Sequence, residues 1–307
     1  MQIINFREYS EPASSVLTIG NFDGVHLGHQ ALIRSVVEEA RAHQARSALL
    51  TFNPHPQSVL RAHRVPILTN LTQRLRLFEQ LGVDTVCMVP FTQELSQKSA
   101  EAFMEQYILG NFDLVRLIIG YDFAFGRNRE GTARVLETFS RKHGFSFQVF
   151  PAVDLDGEVV SSSRLRKAIE LGDFGLARRL LNRPYSVLGP VVKGPQQGRQ
   201  LGFPTLNLVP EDPLPLTHGV YAARVVLGEE TFDGVSNYGI KPTVGASVPT
   251  LETYLFEFDR EIYGETIEVI PLQHLRDERK FDSLDALKSQ IALDCEQAKI
   301  FLAGARG

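Results

Sequence analysis

The chain has 307 residues, 43 % hydrophobic and 22 % charged, with 24 Gly and 16 Pro, a composition that excludes a disordered or collagen-like polypeptide. At ~150 residues per domain, this length favours two domains. A net charge of −4 supplies no overall positive field toward nucleic acid or an anionic membrane, so an anionic ligand has to be met by local groups.

Up to residue 182, short apolar runs at 16–20, 47–52, 85–89, 114–119 and 145–150, each bounded by turn residues, read as buried strands. Helical patterns lie between them at 27–43, 72–81, 100–109 and 132–143. Strand and helix in alternation predict a parallel sheet with helices on both faces. Such sheets bind ligands beyond the carboxyl ends of their strands, which singles out the loops after Ile19, Phe52 and Ile119. Two short helices begin at 161–163 and at Asp173. Beyond them come strands at 185–192, 220–227, 232–237, 251–258 and 266–271, then one helix at 283–302 with Asp282 or Ser283 as its cap. This half predicts a small antiparallel barrel closed by a C-terminal helix. The expected fold class is α/β plus β, with domains at 1–183 and 184–307. No internal repeat or low-complexity linker intervenes.

Cys87 and Cys295 form no CxxC pair, which excludes a disulfide framework or zinc ribbon; the apolar pattern around each predicts core packing. Residues 1–15 lack a basic start followed by an apolar stretch, and no apolar run reaches the ~18 residues of a membrane span. The expectation is a reduced, cytoplasmic protein without nucleic-acid or membrane partners.

The loop after the first predicted strand reads Gly20-Asn21-Phe22-Asp23-Gly24-Val25-His26-Leu27-Gly28-His29 and runs into a helix. Two imidazoles three residues apart beside free helix-start amides suit a phosphate, and a neutral or protonated imidazole donates to oxygens that gain charge in a transition state. A bare HxxH also reads as helix capping; a metal held by both His and Asp23 is weaker, because neither HExxH nor a thiolate set is present. Ser161, Ser162 and Ser163, followed by Arg166, offer hydroxyls, helix-start amides and a guanidinium, or simply an N-cap. Phe123 and Phe125 present faces for a flat ring or for the core, and Arg127 and Arg129 serve phosphate or solvent.

The string GNFDGVHLGH resembles the HxGH signature of the nucleotidyltransferase superfamily, and Ser161-Ser162-Ser163-Arg164-Leu165-Arg166 resembles its SSTxIR partner, with conservative departures at Ser163 and Leu165. Thr51-Phe52-Asn53-Pro54-His55-Pro56 and the stretch from Gly120 through Asp122, Phe123, Phe125, Arg127 and Arg129 to Gly131 are similar to the TFxPHP and GxDFxFGxxRxG segments of the bacterial bifunctional riboflavin kinase/FAD synthetase family. By that resemblance Gly20, Asn21, Phe22, Asp23, Gly24, Asn53, His55, Asp122, Phe123, Phe125, Arg127, Arg129 and Ser161 to Ser163 shape the flavin and nucleotide sites. The same resemblance implies that His26, His29 and Arg166 carry the adenylyl chemistry.

In the second half a P-loop is absent. Glycines at 189, 194, 198 and 202 precede Phe203-Pro204-Thr205-Leu206-Asn207. Glycine lets a loop approach phosphates and turn amides toward them. The oxygens of Thr205 and Asn207, two residues apart in an extended segment, share a side and suit a magnesium ion; a barrel turn before a polar strand explains the same spacing. The whole string resembles the riboflavin kinase signature GxxxGxxxGRxLGFPTAN, with Leu206 in place of the usual alanine. The resemblance implies that Gly194, Gly198, Arg199, Gly202, Pro204, Thr205 and Asn237 bind substrate and that Thr205 and Asn207 hold Mg²⁺. It makes Glu252, otherwise an outward residue of an alternating strand, the general base; Tyr254 stands where histidine is frequent. It covers the chain from about Val16 to about Ala303 and implies ATP-dependent conversion of riboflavin to FMN and of FMN to FAD. The alternatives are a flavin- or nucleotide-binding protein with one active module, and adenylylation of a different phosphorylated small molecule.

Overall fold

The computed structural model describes residues 1–6, 13–60, 65–194, 197–243 and 246–305. Contacts divide the chain into two compact units, Met1–Val65 with Leu71–Ser162, and Pro66–Asn70 with Ser163–Gly307.

The first unit runs β1 (Gln2–Asn5), β2 (Ser14–Ile19), α1 (Leu27–Ala42), β3 (Arg46–Asn53), α2 (Pro56–Leu60), α3 (Leu71–Gln80), β4 (Thr85–Pro90), α4 (Gln93–Ser96), α5 (Ala100–Phe103), β5 (Asp113–Gly120), α6 (Ala133–His143) and β6 (Ser146–Phe150), followed by a hairpin of β7 (Asp154–Leu155) and β8 (Glu158–Val159). Its six-stranded sheet is parallel, in the order β1-β4-β3-β2-β5-β6. Successive side chains of a strand face opposite ways, and both faces are buried: Val16, Leu49, Val86 and Ile118 join one core cluster, their neighbours Leu17, Leu50, Cys87 and Ile119 the other. That is why the strands read as continuous apolar runs. Helix α1 covers one face through Leu32, Ile33, Val36, Val37 and Ala40. The predicted helix at 100–109 is α5 continued as a π-helix over Met104–Leu109. Strand β1 carries only four residues and one buried side chain, Ile4, too little pattern to read beforehand. Strand β2 sits between β3 and β5, so the winding reverses at its carboxyl end, the switch point at which open α/β sheets place ligands.

The second unit begins with most of α7 (Ser162–Glu170) and includes α8 (Phe174–Leu181), β9 (Val187–Pro190), α9 (Gln197–Leu201), β10 (Thr205–Leu208), β11 (Gly219–Leu227), β12 (Glu230–Thr243), β13 (Ala246–Leu255), β14 (Thr266–Asp277) and α10 (Leu284–Gly304). Six antiparallel strands follow the order β10-β13-β12-β11-β14-β9. The Val192↔Asn207 bridge nearly closes them into a barrel. Tyr221 and Tyr238 are fully buried. Helix α10 is capped by Ser283, whose Oγ accepts from Ala286 N. It packs Cys295, Ala298 and Leu302 against Val220, Ala222 and Val235, and its buried Asp294 accepts from Arg276 Nε and Nη2 of β14 at 2.8–3.1 Å. Both thiols are core groups, as the sequence predicts: burial pushes Cys87 up to about 12 and Cys295 up to about 11.

The contact division falls at 162/163, so that Phe174 of α8 meets Tyr221 edge-on at 6.0 Å and residues 66–70 join the barrel through Ile67 N to Pro213 O and Asn70 Nδ2 to Leu188 O. The pairings of residues 66–70 link segments more than 100 residues apart in sequence and leave no local signal.

Gly131 faces Phe125 so closely that a Cβ there would lie 2.5 Å from its ring, and Phe125 is locked in the core with Phe103. Gly131→Ala should therefore destabilise the protein by about 1–3 kcal/mol, the usual cost of overpacking. A urea midpoint equal to the parent's would contradict this.

Candidate active sites

At the switch point, His26 is the N-cap of α1: its Nδ1 accepts from His29 N at 3.3 Å, which leaves the ring proton of a neutral His26 on Nε2. The two imidazoles stack 3.7 Å apart, and His29 meets Phe22 edge-on at 5.3 Å. His26 is thus a helix cap whose ring lies against that of His29. Burial, with His26 beside it, holds the His29 pKa well below its ordinary value, so His29 is a neutral hydrogen-bonding group at pH 7. Ser162, at the start of α7, donates to Asp23 O at 2.9 Å. The two signatures that stand 139 residues apart are therefore joined by a hydrogen bond.

The other predicted residues of this half divide between loop and core. Asn53 is exposed; His55 is buried, its Nδ1 accepting from Gln57 N at 3.2 Å. Asp122, Arg127 and Arg129 are exposed on a turn in which Arg129 Nη2 donates to Asp122 O at 3.3 Å. Of the two readings open for the aromatic pair, Phe125 takes the core one, stacked on Phe123, while Phe123 keeps partial exposure. Phe22 is likewise a core side chain, 2 % exposed, so its contribution to the loop is packing. Ser163 and Arg166 belong to the second unit, where Arg166 Nε donates to Pro66 O at 2.8 Å.

Sequence reasoning missed Arg74. It lies on α3, outside every motif, 5 % exposed, and its Nη1 donates to Asn21 O at 2.8 Å. Burial lowers its pKa, and the Asp23 carboxylate opposes that shift. Arg74 Nε, Asn21 Oδ1 and His29 Nδ1 are buried without hydrogen-bond partners among the described residues. A charged residue on the buried side of a helical pattern was the available signal.

In the barrel, register does the assembling. Asn207 of β10 pairs with Glu252 of β13, which pairs with Asn237 of β12. Directly paired residues share a face, and Thr205 lies two residues from Asn207 on that face. Asn207 is buried, and Thr205, Glu252 and Asn237 are half-buried. Gly194 passes against the Asn207 side chain, where a Cβ would lie 2.6 Å from Nδ2. The oxygens of Thr205 and Asn207 are neutral and few, a donor set that fits Mg²⁺ when phosphates complete its shell. Among the described residues no cluster of three His, Cys, Asp or Glu offers a metal site of its own. Within the predicted glycine loop, Gly198 and Arg199 form part of the short α9, Gly202 takes φ of 87° beside exposed Pro204, and Pro195 and Gln196 lie outside the described residues. Arg199 meets Glu261 at 3.5 Å on the surface, and Asn237 Nδ2 donates to Glu278 Oε1 at 3.5 Å.

A parallel sheet bearing a paired-imidazole loop at its switch point, and an antiparallel barrel bearing a carboxylate beside neutral side-chain oxygens, define a two-module transferase of nucleotidyl and phosphoryl groups. The FAD synthetase family model matches residues 8–164 and the riboflavin kinase family model residues 181–302. The chain belongs to the bifunctional riboflavin kinase/FMN adenylyltransferase family. The bifunctional riboflavin kinase/FMN adenylyltransferase of Haemophilus influenzae is 37 % identical over 287 residues, covering 93 % of both chains. That of Bacillus subtilis is 36 % identical over 296 residues, covering 94 % of this chain and 92 % of its own. A crystal structure described as a macrolide-efflux protein from Streptococcus pneumoniae aligns with a TM-score of 0.79 at 30 % identity, over 96 % of this chain and 97 % of the other. Among the described residues no helix is long and apolar enough to cross a membrane.

The depressed His29 pKa has a thermodynamic sign. The unfolded chain takes up this proton near 6.5 and the folded protein only at lower pH, so the stability tied to the neutral ring is complete above 6.5 and is lost as pH falls toward the folded value. Thermal melts between pH 7.5 and 5 should therefore fall less steeply for His29→Asn than for the parent. Parallel curves would contradict the shift. A second expectation concerns the metal: two neutral oxygens bind a hard cation weakly without phosphate, so calorimetric titration of the nucleotide-free protein should show no micromolar Mg²⁺ binding in the barrel.

Proposed function

We infer that the barrel transfers the γ-phosphoryl of ATP to riboflavin, giving FMN and ADP, and that the parallel-sheet unit joins FMN to the adenylyl group of ATP, giving FAD and pyrophosphate. The observation that carries this reading is that each signature closes in space from remote segments: Ser162 onto the Asp23 loop in one unit, Asn207, Glu252 and Asn237 across three strands in the other. The catalytic modules correspond to residues 1–183 and 184–307.

For the kinase step, Glu252 accepts the proton of the terminal ribityl hydroxyl as its oxygen bonds to the γ-phosphorus and the bond to ADP breaks. Thr205 and Asn207 are the residues to hold Mg²⁺, which when bound neutralises phosphate charge; Gly194 and Gly198 supply backbone amides to the nucleotide. The adenylyl step needs no base, because the FMN phosphate is already anionic at pH 7. Its oxygen attacks the α-phosphorus of ATP, the α–β bridging bond breaks and pyrophosphate leaves. Catalysis here is alignment plus donation to the oxygens that gain charge. His26 and His29 serve as donors, His29 as a neutral ring.

Incubation with riboflavin, ATP and Mg²⁺, followed by chromatographic separation of flavins, should yield both FMN and FAD; unchanged riboflavin would end this reading. The activities should also separate by mutation. Glu252→Gln keeps shape but loses the proton acceptor, so riboflavin phosphorylation should fall by roughly 10²–10⁴ while adenylylation of supplied FMN persists. His29→Ala should lower adenylylation by about 10² or more and spare the kinase. Initial rates of both half-reactions on folded variants decide it. Equal depression of both by Glu252→Gln would show that the carboxylate is misassigned.

A further inference from the structure

The loop after β2 is strained and held by side chains of several elements. Phe22 and Val25 take φ of 51° and 41°, left-handed backbone that is unfavourable for bulky and especially β-branched residues and persists only where surrounding structure over-determines it. The loop carbonyls accept hydrogen bonds from several elements. Asn21 O accepts from Arg74 Nη1 at 2.8 Å and from Thr51 Oγ1 at 3.4 Å, Phe22 O from Val25 N at 3.1 Å, Asp23 O from Ser162 Oγ at 2.9 Å, and Val25 O from Gln30 Nε2 at 2.9 Å. Among these donors Arg74 is the charged one. It is 5 % exposed, and it sits beside Asp23, itself 2 % exposed. A buried guanidinium is retained at a desolvation cost, and a charge-assisted bond to a carbonyl is stronger than a neutral one.

We propose that Arg74 is a positioning residue of the adenylyl-transfer step: through Asn21 O it holds the 20–26 loop in its strained form, and so sets the places of His26 and His29. The proposal rests on the reading of this loop as the adenylyl site. Arg74 is buried behind the loop and acts through the backbone. Its loss should therefore impair alignment in the transition state more than the binding of ATP.

The test is steady-state adenylylation of FMN by Arg74→Gln and Arg74→Lys, with riboflavin phosphorylation and thermal melts measured on the same preparations. Arg74→Gln should lower kcat about 10- to 100-fold, the scale of a sub-ångström to ångström misplacement of reacting groups, with KM for ATP within threefold of the parent and kinase rates unchanged. Arg74→Lys, which restores a cationic donor toward Asn21 O without the planar fork, should recover part of that loss. Unchanged kcat in folded Arg74→Gln overturns the proposal, as does a raised KM with intact kcat, or a loss that equals the unfolded fraction at assay temperature. If Arg74→Gln does not fold, Arg74→Lys decides: kcat lowered at least threefold at constant KM supports the role, and full activity overturns it. His29→Ala in parallel separates the two ideas. If it abolishes FAD formation while both Arg74 variants keep it, the positioning role alone fails; if the parent makes no FAD from FMN, the reading of the site fails with it.

Discussion

Backbone strain in the loop that leaves the middle of the parallel sheet is the constraint on which the first unit depends. Two residues in left-handed conformation cost of order 1–3 kcal/mol each, and neither Phe22 nor Val25 relieves that cost locally. Packing offsets it instead: both side chains are buried in the α1-facing core cluster, with Phe22 edge-on to Phe78 of α3, and side-chain donors from α1, α3, β3 and α7 hold the carbonyls. The sheet, its helices and the remote serine motif are thereby all needed to present one short helix start and its two imidazoles.

The barrel solves its own problem by register. Asn207, Glu252 and Asn237 come from three segments, and only the pairing of β10 with β13 and of β13 with β12 sets them side by side. A slip of one residue in β13 would turn Glu252 to the opposite face, where Thr253 now bonds Ser236 at 2.8 Å in the interior. Helix α10 secures the other side of the sheet order: its buried Asp294 is forked by Arg276 of β14, and removing one partner of such a buried pair is far more costly than the pair is stabilising.

Electrostatics follow the same local logic. In the proposed mechanism a chain of net charge −4 meets phosphate with oriented donors rather than with an overall positive field. His29, held neutral by burial and by its neighbour, contributes N–H polarity without a charge to desolvate. Pre-set dipoles of this kind need little reorganisation when charge develops on a phosphate.

The type and order of nearly every long element, the burial of both cysteines, and the identities of the two signature sets were legible in the sequence, because hydrophobic period and motif chemistry are properties of neighbouring residues. Short β1 and β10 offered too few residues for a period, and the π-helical continuation at Met104–Leu109 looks like an ordinary helix in pattern. The sequence by itself therefore determined the two signature sets and in what kind of element they stand. Only the tertiary structure decided that Phe125 is core, that Arg74 reaches the Asn21 carbonyl, that 66–70 joins the barrel, and that Asn207, Glu252 and Asn237 lie abreast. Those outcomes depend on strand order and register between distant segments, and no local pattern of side chains encodes them.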